Sequence, residues 1–236
     1  MTKMITNIYP NSKMSDMIVD YPSLITVLER LGIAFGFGDQ HVKEIAERYG
    51  INLHAFLSIL RVFEGSITSD MIMEKEAIKD LLFFLEVSHR HFKEKQIVDI
   101  KELISRFSEN IPSQHAKIII SFFDGYMQEV SEHFLYEDDV VFPYIRSILQ
   151  ASDLKGYEIK EFEKNHTDIE QKLLDLKNIL IKYIPENVVS DYRVMILRAL
   201  IVLEQDLLYH TFIEDHLLVP SIKDMERELF EKGQGI

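Results

Sequence analysis

Apolar residues return three and four positions apart over long stretches of this chain, while the alternation that is typical of strands is rare. Glycine and proline, which interrupt helices, account for only 9 and 6 of the 236 residues. The pattern therefore predicts an all-α protein. Beyond residue 75 it predicts four helices of the length used in a four-helix bundle. They are placed near residues 75–109, 113–149, 153–183 and 188–230.

Breaks in this periodicity separate the four predicted helices. The segment 110–113 follows the first helix, 151–153 caps the third, and 184–187 precedes the fourth. Two prolines, Pro143 and Pro220, lie inside helical patterns instead of between them. Because proline lacks a backbone N–H, each is expected to kink its helix or to mark a rebuilt turn.

Shorter helical patterns occupy the beginning of the chain, at residues 24–31, 42–46 and 53–60. The glycine-rich segment 31–40 interrupts them, so they predict a compact unit of three helices. The polar segment 64–70 that follows is typical of a linker.

The chain is expected to divide into two domains at this linker. Residues 1–65 would form a small helical N-terminal domain, and residues 71–236 a four-helix bundle that carries the functional site. Because four helices can close a core by themselves, a fragment that begins near Met71 is expected to fold alone.

The composition narrows the range of partners and of chemistry. A net charge of −13 argues against nucleic acid or an anionic membrane, because either would be repelled. Neither a membrane-spanning apolar run nor a signal-peptide pattern is recognisable, so a cytoplasmic location is expected. The chain has no cysteine, so any metal ion must be held by nitrogen and oxygen atoms.

The strongest motif is an internal repeat of the form His-x3-Glu-Asp-x4-Pro, which begins at His133 and again at His210. Positions i and i+4 share one face of a helix. The first copy therefore pairs its histidine with Glu137 and the second copy with Glu214. Both pairs continue apolar stripes, so they are expected to face the interior of the bundle.

Two more histidines, His89 and His166, lie on the apolar stripes of the other two predicted helices. A single histidine on such a face is usually a core residue bonded to a backbone carbonyl. Four of them, two with a carboxylate one turn away, favour a metal site instead. Burying two ionised carboxylates without a cation would cost several kcal/mol each.

Six inward donors predict a dinuclear site in which the two glutamates bridge the ions and an oxo or hydroxo group completes the bridge. Iron suits these nitrogen and oxygen ligands best, and manganese and zinc are compatible with them. The proposed ligands are His89, His133, Glu137, His166, His210 and Glu214.

Some positions near the site leave alternatives open. His91 competes with His89 for the first helix, although His89 is in phase with the apolar stripe. Asp138, Asp139 and Asp215 follow the two glutamates and are candidates to accept hydrogen bonds from ligand imidazoles, but such acids more often face solvent.

These residues resemble the hemerythrin-like di-iron proteins and, more closely, the Repair of Iron Centres group. The resemblance rests on His89, on the segments 133–143 and 210–220, and on Glu163-Lys-Asn-His166. The first 65 residues look like the small ScdA-type N-terminal domain of that group. Where the group carries two cysteines, this chain has Gly36 and Phe37.

The resemblance implies a non-haem di-iron protein that reacts with or binds O₂, NO or peroxide, in iron–sulfur centre repair or in the nitrosative and oxidative stress response. Iron–sulfur client proteins and a homodimer are the further partners it allows. The alternative is a sensor or carrier of O₂ or NO without turnover, which signals through the N-terminal domain. A helical interaction module whose histidines bind zinc or nothing is the third hypothesis. Whether the protein is an enzyme stays open.

Overall fold

A computed structural model describes residues 8–66, 71–150, 157–165, 169–185, 188 and 191–233. The secondary-structure elements in this part of the chain are all helices, and an isolated β-bridge pairs Lys13 with His41. The chain divides into two compact units. The first unit comprises Met1–Ser88, Phe142–Lys164 and Tyr209–Ile236, and the second comprises His89–Val141 and Asn165–Leu208.

The N-terminal region contains four short helices within the described residues, and the sequence pattern predicted three. They are α1 Met14–Asp20, α2 Leu24–Arg30, α3 Val42–Tyr49 and α4 Leu53–Glu64. Helix α1, which is only seven residues long, was not among the predicted helices, and its first residue, Met14, is completely buried. Helix α4 has a side-chain N-cap, because Oδ1 of Asn52 accepts hydrogen bonds from the backbone N–H groups of His54 and Ala55.

The longer helices follow the predicted positions closely, and the all-α fold class is confirmed. They are α5 Lys75–His91, α6 Ile97–Ser108, α7 Ser113–Tyr136, α8 Phe142–Leu149, α9 Ile159–Asn165, α10 Ile169–Asn178, α11 Asp191–Ile213 and α12 Val219–Gly233. The third helix was predicted to begin at residue 153, but residues 157 and 158 are not helical and α9 begins at Ile159. Residues 151–156 and positions 67–70 of the predicted linker lie outside the described residues. None of the described helices is both long and apolar enough to cross a bilayer.

Within the described residues there are four π-helical segments of five residues each, and none of them was predicted. They are Phe92–Gln96, Glu137–Val141, Ile179–Tyr183 and Glu214–Leu218. Such segments carry i to i+5 hydrogen bonds, are rare, and occur frequently at functional sites. Two of them begin at the glutamates of the internal repeat, so both copies of the repeat adopt the same local structure.

The two prolines of the repeat lie just after these segments, at the second position of α8 and of α12. A proline cannot donate to the carbonyl four residues earlier, and in the second copy that carbonyl belongs to His216. The N–H of Met71 donates to it instead, at 3.3 Å. The N–H of Met73 donates to the hydroxyl of Ser221 at 2.8 Å. The start of the predicted bundle domain is thus attached to the C-terminal helix.

The second unit has one hydrophobic core to which four helical stretches contribute. The residues on each stretch are spaced by three or four positions, as expected for helices that face a common interior. They include Ile100, Ile104 and Phe107 from α6, Ile119, Phe123 and Val130 from α7, Leu173 and Leu176 from α10, and Ile196, Leu200 and Leu203 from α11.

The first unit contains residues from both sides of the predicted domain boundary. Phe63 of α4 is buried, its ring meets Phe84 of α5 edge-on with centroids 5.9 Å apart, and it lies 4.4 Å from the ring of Tyr209. The backbone N–H of Asn52 also donates to Asp80 at 2.6 Å. The division into domains 1–65 and 71–236 stays a prediction, and these contacts show that α4 packs against α5 and α11.

Candidate metal centre

The first half of the candidate site is built around His89, in the last turn of α5. Only 1% of this residue is exposed. Its Nε2 lies 3.2 Å from Oε2 of Glu137, and its Nδ1 lies 2.7 Å from Oδ1 of Asp138. The ring stacks on Phe134, with centroids 4.2 Å apart. Two carboxylates and one aromatic ring therefore fix both the position and the plane of this imidazole.

A second histidine, on the same helical stretch as Glu137, also contacts this glutamate. His133, one turn earlier, places Nε2 2.9 Å from Oε1 of Glu137. The glutamate is completely buried, and each of its two oxygens faces an imidazole nitrogen. The i, i+4 spacing of the repeat thus produces the pairing expected from the sequence.

The second copy of the repeat has the same geometry. Nε2 of His210 lies 3.2 Å from Oε1 of Glu214, and both residues are buried. As in the first copy, the glutamate is the first residue of a π-helical segment. Each copy therefore presents a buried carboxylate and an imidazole at one place on its helix.

Hydrogen bonding controls the charge of His89. Burial by itself lowers the pKa of His89, because the imidazolium loses hydration, but hydrogen bonds to Asp138 and Glu137 outweigh burial and raise the pKa to about 9. Burial by itself raises the pKa of Asp138, but the hydrogen bonds and positive charges of His89 and Lys93 outweigh burial and lower that pKa below its usual value. In the metal-free protein His89 is a cation between carboxylates, so a metal ion that takes Nε2 must displace a proton.

Five of the six predicted ligands lie in the described part of the chain. His166 lies outside the described residues. Among the described residues, four buried side chains that offer one ligand atom each form the group that could hold a metal ion: His89, Glu137, His210 and Glu214. His133 is a partly exposed neighbour of this group that contacts Glu137, with 12% of its side chain exposed.

The structure describes the alternative histidine of the first helix and the three aspartates that were candidate hydrogen-bond acceptors. His91 is half-buried, whereas His89 is fully buried beside Glu137. Of the three candidate acceptors, Asp138 contacts a proposed ligand, Asp139 is exposed, and Asp215 is half-buried.

The donor set fits a cation in this site. Two carboxylates without exposed surface would be costly to ionise in an apolar interior. The nearest ring nitrogens are all Nε2 atoms, on histidines that metals bind when the ring is neutral. Nitrogen and oxygen donors without thiolates suit iron, manganese or zinc.

The family comparison decides between a metal site and a core of paired side chains. The family model of the hemerythrin HHE cation-binding domain matches residues 80–222, which is more than half of the chain. The chain belongs to the hemerythrin family. The matched region contains both copies of the repeat and His89. This hemerythrin domain is thus a helical, cation-binding domain, and its buried histidine and glutamate group is suited to iron.

Two features of the hemerythrin domain were missed in the sequence. Lys93 donates to Oδ2 of Asp138 at 3.1 Å, and its ammonium lies 5.7 Å from the centroid of Phe134. Asp206, which is buried, accepts from Nε2 of Gln96 at 2.9 Å. The only available signal for Asp206 was its position one turn before His210, and nothing near Lys93 in the sequence indicates its partner.

Proposed function

We propose that this protein is a non-haem di-iron protein of the cytoplasm that binds or reacts with O₂, NO or peroxide and serves iron–sulfur centre repair or the stress response. The proposed ligands are His89, His133, Glu137, His166, His210 and Glu214, with the glutamates bridging the two ions. The supporting observation is that each repeat buries a glutamate completely and sets an imidazole Nε2 about one hydrogen-bond length from it.

Each residue has a physical role in this proposal. Glu137 and Glu214 supply the negative charge that offsets the charge of the metal ions inside an apolar interior. His89 and His133 approach the two oxygens of Glu137 from different helices, so each would donate one nitrogen to a metal ion held beside this carboxylate. When bound, iron supplies a coordination position for a small ligand.

The repair assignment is supported by the resemblance of the N-terminal region to the ScdA-type domain. Gly36 and Phe37 stand where that domain carries cysteines, and Gly36 adopts φ of 98° in an exposed loop. Since no thiol exists in this chain, the proposed repair role uses the hemerythrin domain for iron and the N-terminal helices for contacts.

Metal analysis of the purified chain tests the proposal. Two iron ions per chain are expected by elemental analysis, together with a visible spectrum that azide or NO changes. Glu137→Ala should lose more iron than His166→Ala, because a bridge serves both ions and a terminal ligand serves one. Glu132→Ala, at an exposed position on the same helix, is the control and should keep both ions. One ion or none, after iron supplementation, would contradict the proposal.

A second candidate function is a sensor or carrier of O₂ or NO that signals through the N-terminal helices. One contact favours it: the ring of Phe63 in α4 lies 4.4 Å from Tyr209, the residue before His210. A change at His210 thus has a direct packed route to α4. Hydrogen exchange of residues 53–64 should then differ between the metal-loaded protein with and without NO, and identical exchange would argue against signalling.

A further inference from the structure

His89 is held by residues that the ligand set does not include. Its Nδ1 is 2.7 Å from Oδ1 of Asp138, and the other oxygen of Asp138 accepts from Nζ of Lys93 at 3.1 Å. Three side chains therefore form a chain of hydrogen bonds that runs away from Glu137. Lys93 lies four positions after His89, so both ends of this chain belong to neighbouring turns of one helical stretch.

Two of the three members, His89 and Lys93, also pack on the ring of Phe134. The imidazole of His89 stacks on this ring at an interplanar angle of 20°, and the ammonium of Lys93 lies over the same ring. The ammonium is thereby attracted both by a carboxylate and by the face of an aromatic ring. Lys93 keeps about a third of its side chain exposed, whereas His89 has almost none.

The geometry selects one ring nitrogen of His89 as the metal donor. The carboxylate of Asp138 accepts a hydrogen bond from Nδ1, so the proton on Nδ1 stays when the ring binds a metal ion, and Nε2, the atom that faces Glu137, is the donor. Without Asp138 the ring could take the other tautomer or rotate about its stacking contact. The ammonium of Lys93 donates to the far oxygen of Asp138 and thereby orients this carboxylate toward Nδ1 of His89.

We propose that Asp138 and Lys93 are positioning residues for the metal centre: Lys93 orients Asp138, and Asp138 orients His89 so that Nε2 is the donor. This inference rests on the proposed function, because it needs His89 to be a ligand. It assigns a role to Lys93, a residue that touches neither the glutamates of the repeat nor any other proposed ligand in the described contacts.

Iron affinity, measured on the full chain by competition with a graded chelator, tests the inference. Asp138→Asn should weaken iron binding about 10- to 100-fold, the usual effect of losing a carboxylate behind a ligand histidine. Lys93→Met should weaken it by a smaller factor, on the order of a few-fold, since the ion pair is partly solvated. Lys93→Arg should restore affinity, because a guanidinium can donate to the same carboxylate. Lys117→Met, at an exposed position of α7, is the matched control.

A double-mutant cycle separates positioning from general stabilisation. If Lys93 acts only through Asp138, then Lys93→Met should add no loss of affinity in the Asp138→Asn background. An equal loss in both backgrounds would overturn the inference, as would unchanged affinity in Asp138→Asn. If circular dichroism shows that Asp138→Asn does not fold, the two Lys93 variants decide. In that case the inference is overturned if Lys93→Met loses iron affinity and Lys93→Arg does not recover it. A wild-type chain that binds no iron contradicts the proposed function instead, so the two failures are distinguishable.

Discussion

Replacing Phe63 by alanine tests whether α4 shares the core of the C-terminal helices. Only 3% of Phe63 is exposed, and its ring packs on both Phe84 and Tyr209. Removing a buried phenylalanine costs about 3–5 kcal/mol of unfolding free energy, because apolar contacts are lost and a cavity remains. The two ring contacts account for about 0.5–1.5 kcal/mol each within that range. Phe63→Ala should therefore destabilise the metal-free protein by about 3–5 kcal/mol.

Urea unfolding of the metal-free protein, followed by circular dichroism, measures this loss directly. Phe230→Ala is the control, since 67% of Phe230 is exposed and surface changes usually stay within about 0.5 kcal/mol. A loss below about 1 kcal/mol for Phe63→Ala would refute the reasoning. In that case α4 would fold independently, and a fragment beginning near Met71 would be as stable as the full chain. If the reasoning holds, that fragment exposes Phe84 and should unfold at lower urea concentration.

Three further predictions concern single interactions. The pKa of Glu74 is lowered in the folded protein, chiefly by its hydrogen bond to His54. The ionised carboxylate therefore stabilises the fold above about pH 4.5, and this stabilisation is lost as the pH falls through the lowered pKa of the folded state. In Glu74→Gln, the acid unfolding curve should lack this part of the pH dependence. Asn52→Ala removes the cap of α4 and should cost about 0.5–2 kcal/mol in thermal or urea unfolding, while Asn52→Ser, which keeps an oxygen acceptor without bringing a second carboxylate to Glu74, should keep most of the capping energy. Iron loading should raise the melting temperature, and stripping the iron with a chelator should reverse the rise; equal melting temperatures would contradict binding to the folded state.

The helices and the ligand pairs could be predicted because both depend on spacing along one helix. An apolar stripe and an i, i+4 pair are local properties, so His133 with Glu137 and His210 with Glu214 follow from helical geometry alone. The four long helices agree with their predicted positions for the same reason. The choice of His89 over His91 also came from its phase with the stripe, and the structure buries His89.

The features that were missed depend on contacts between distant parts of the chain. Asp138 and Lys93 are 45 positions apart, and no pattern in either helix indicates that they meet. The contact of Phe63 with Tyr209 joins positions that are equally remote in the sequence. The π-helical segments have no composition of their own that distinguishes them from α-helix, and the proline after each of two segments was the only local sign.

The repeat is best understood as a Glu-Asp pair rather than as a single glutamate. In the first copy, Glu137 approaches His89 at Nε2 while its neighbour Asp138 approaches the same ring at Nδ1. Consecutive side chains on a helix point in different directions, which places them on different faces. An imidazole accommodates this divergence, because its two nitrogens point in different directions. One carboxylate can then face the metal while the next one holds the proton on the opposite side of the ring. The second copy keeps both acids, Glu214 and Asp215, at the start of its own π-helical segment, and there the imidazole that faces the glutamate is His210 of the same helical stretch.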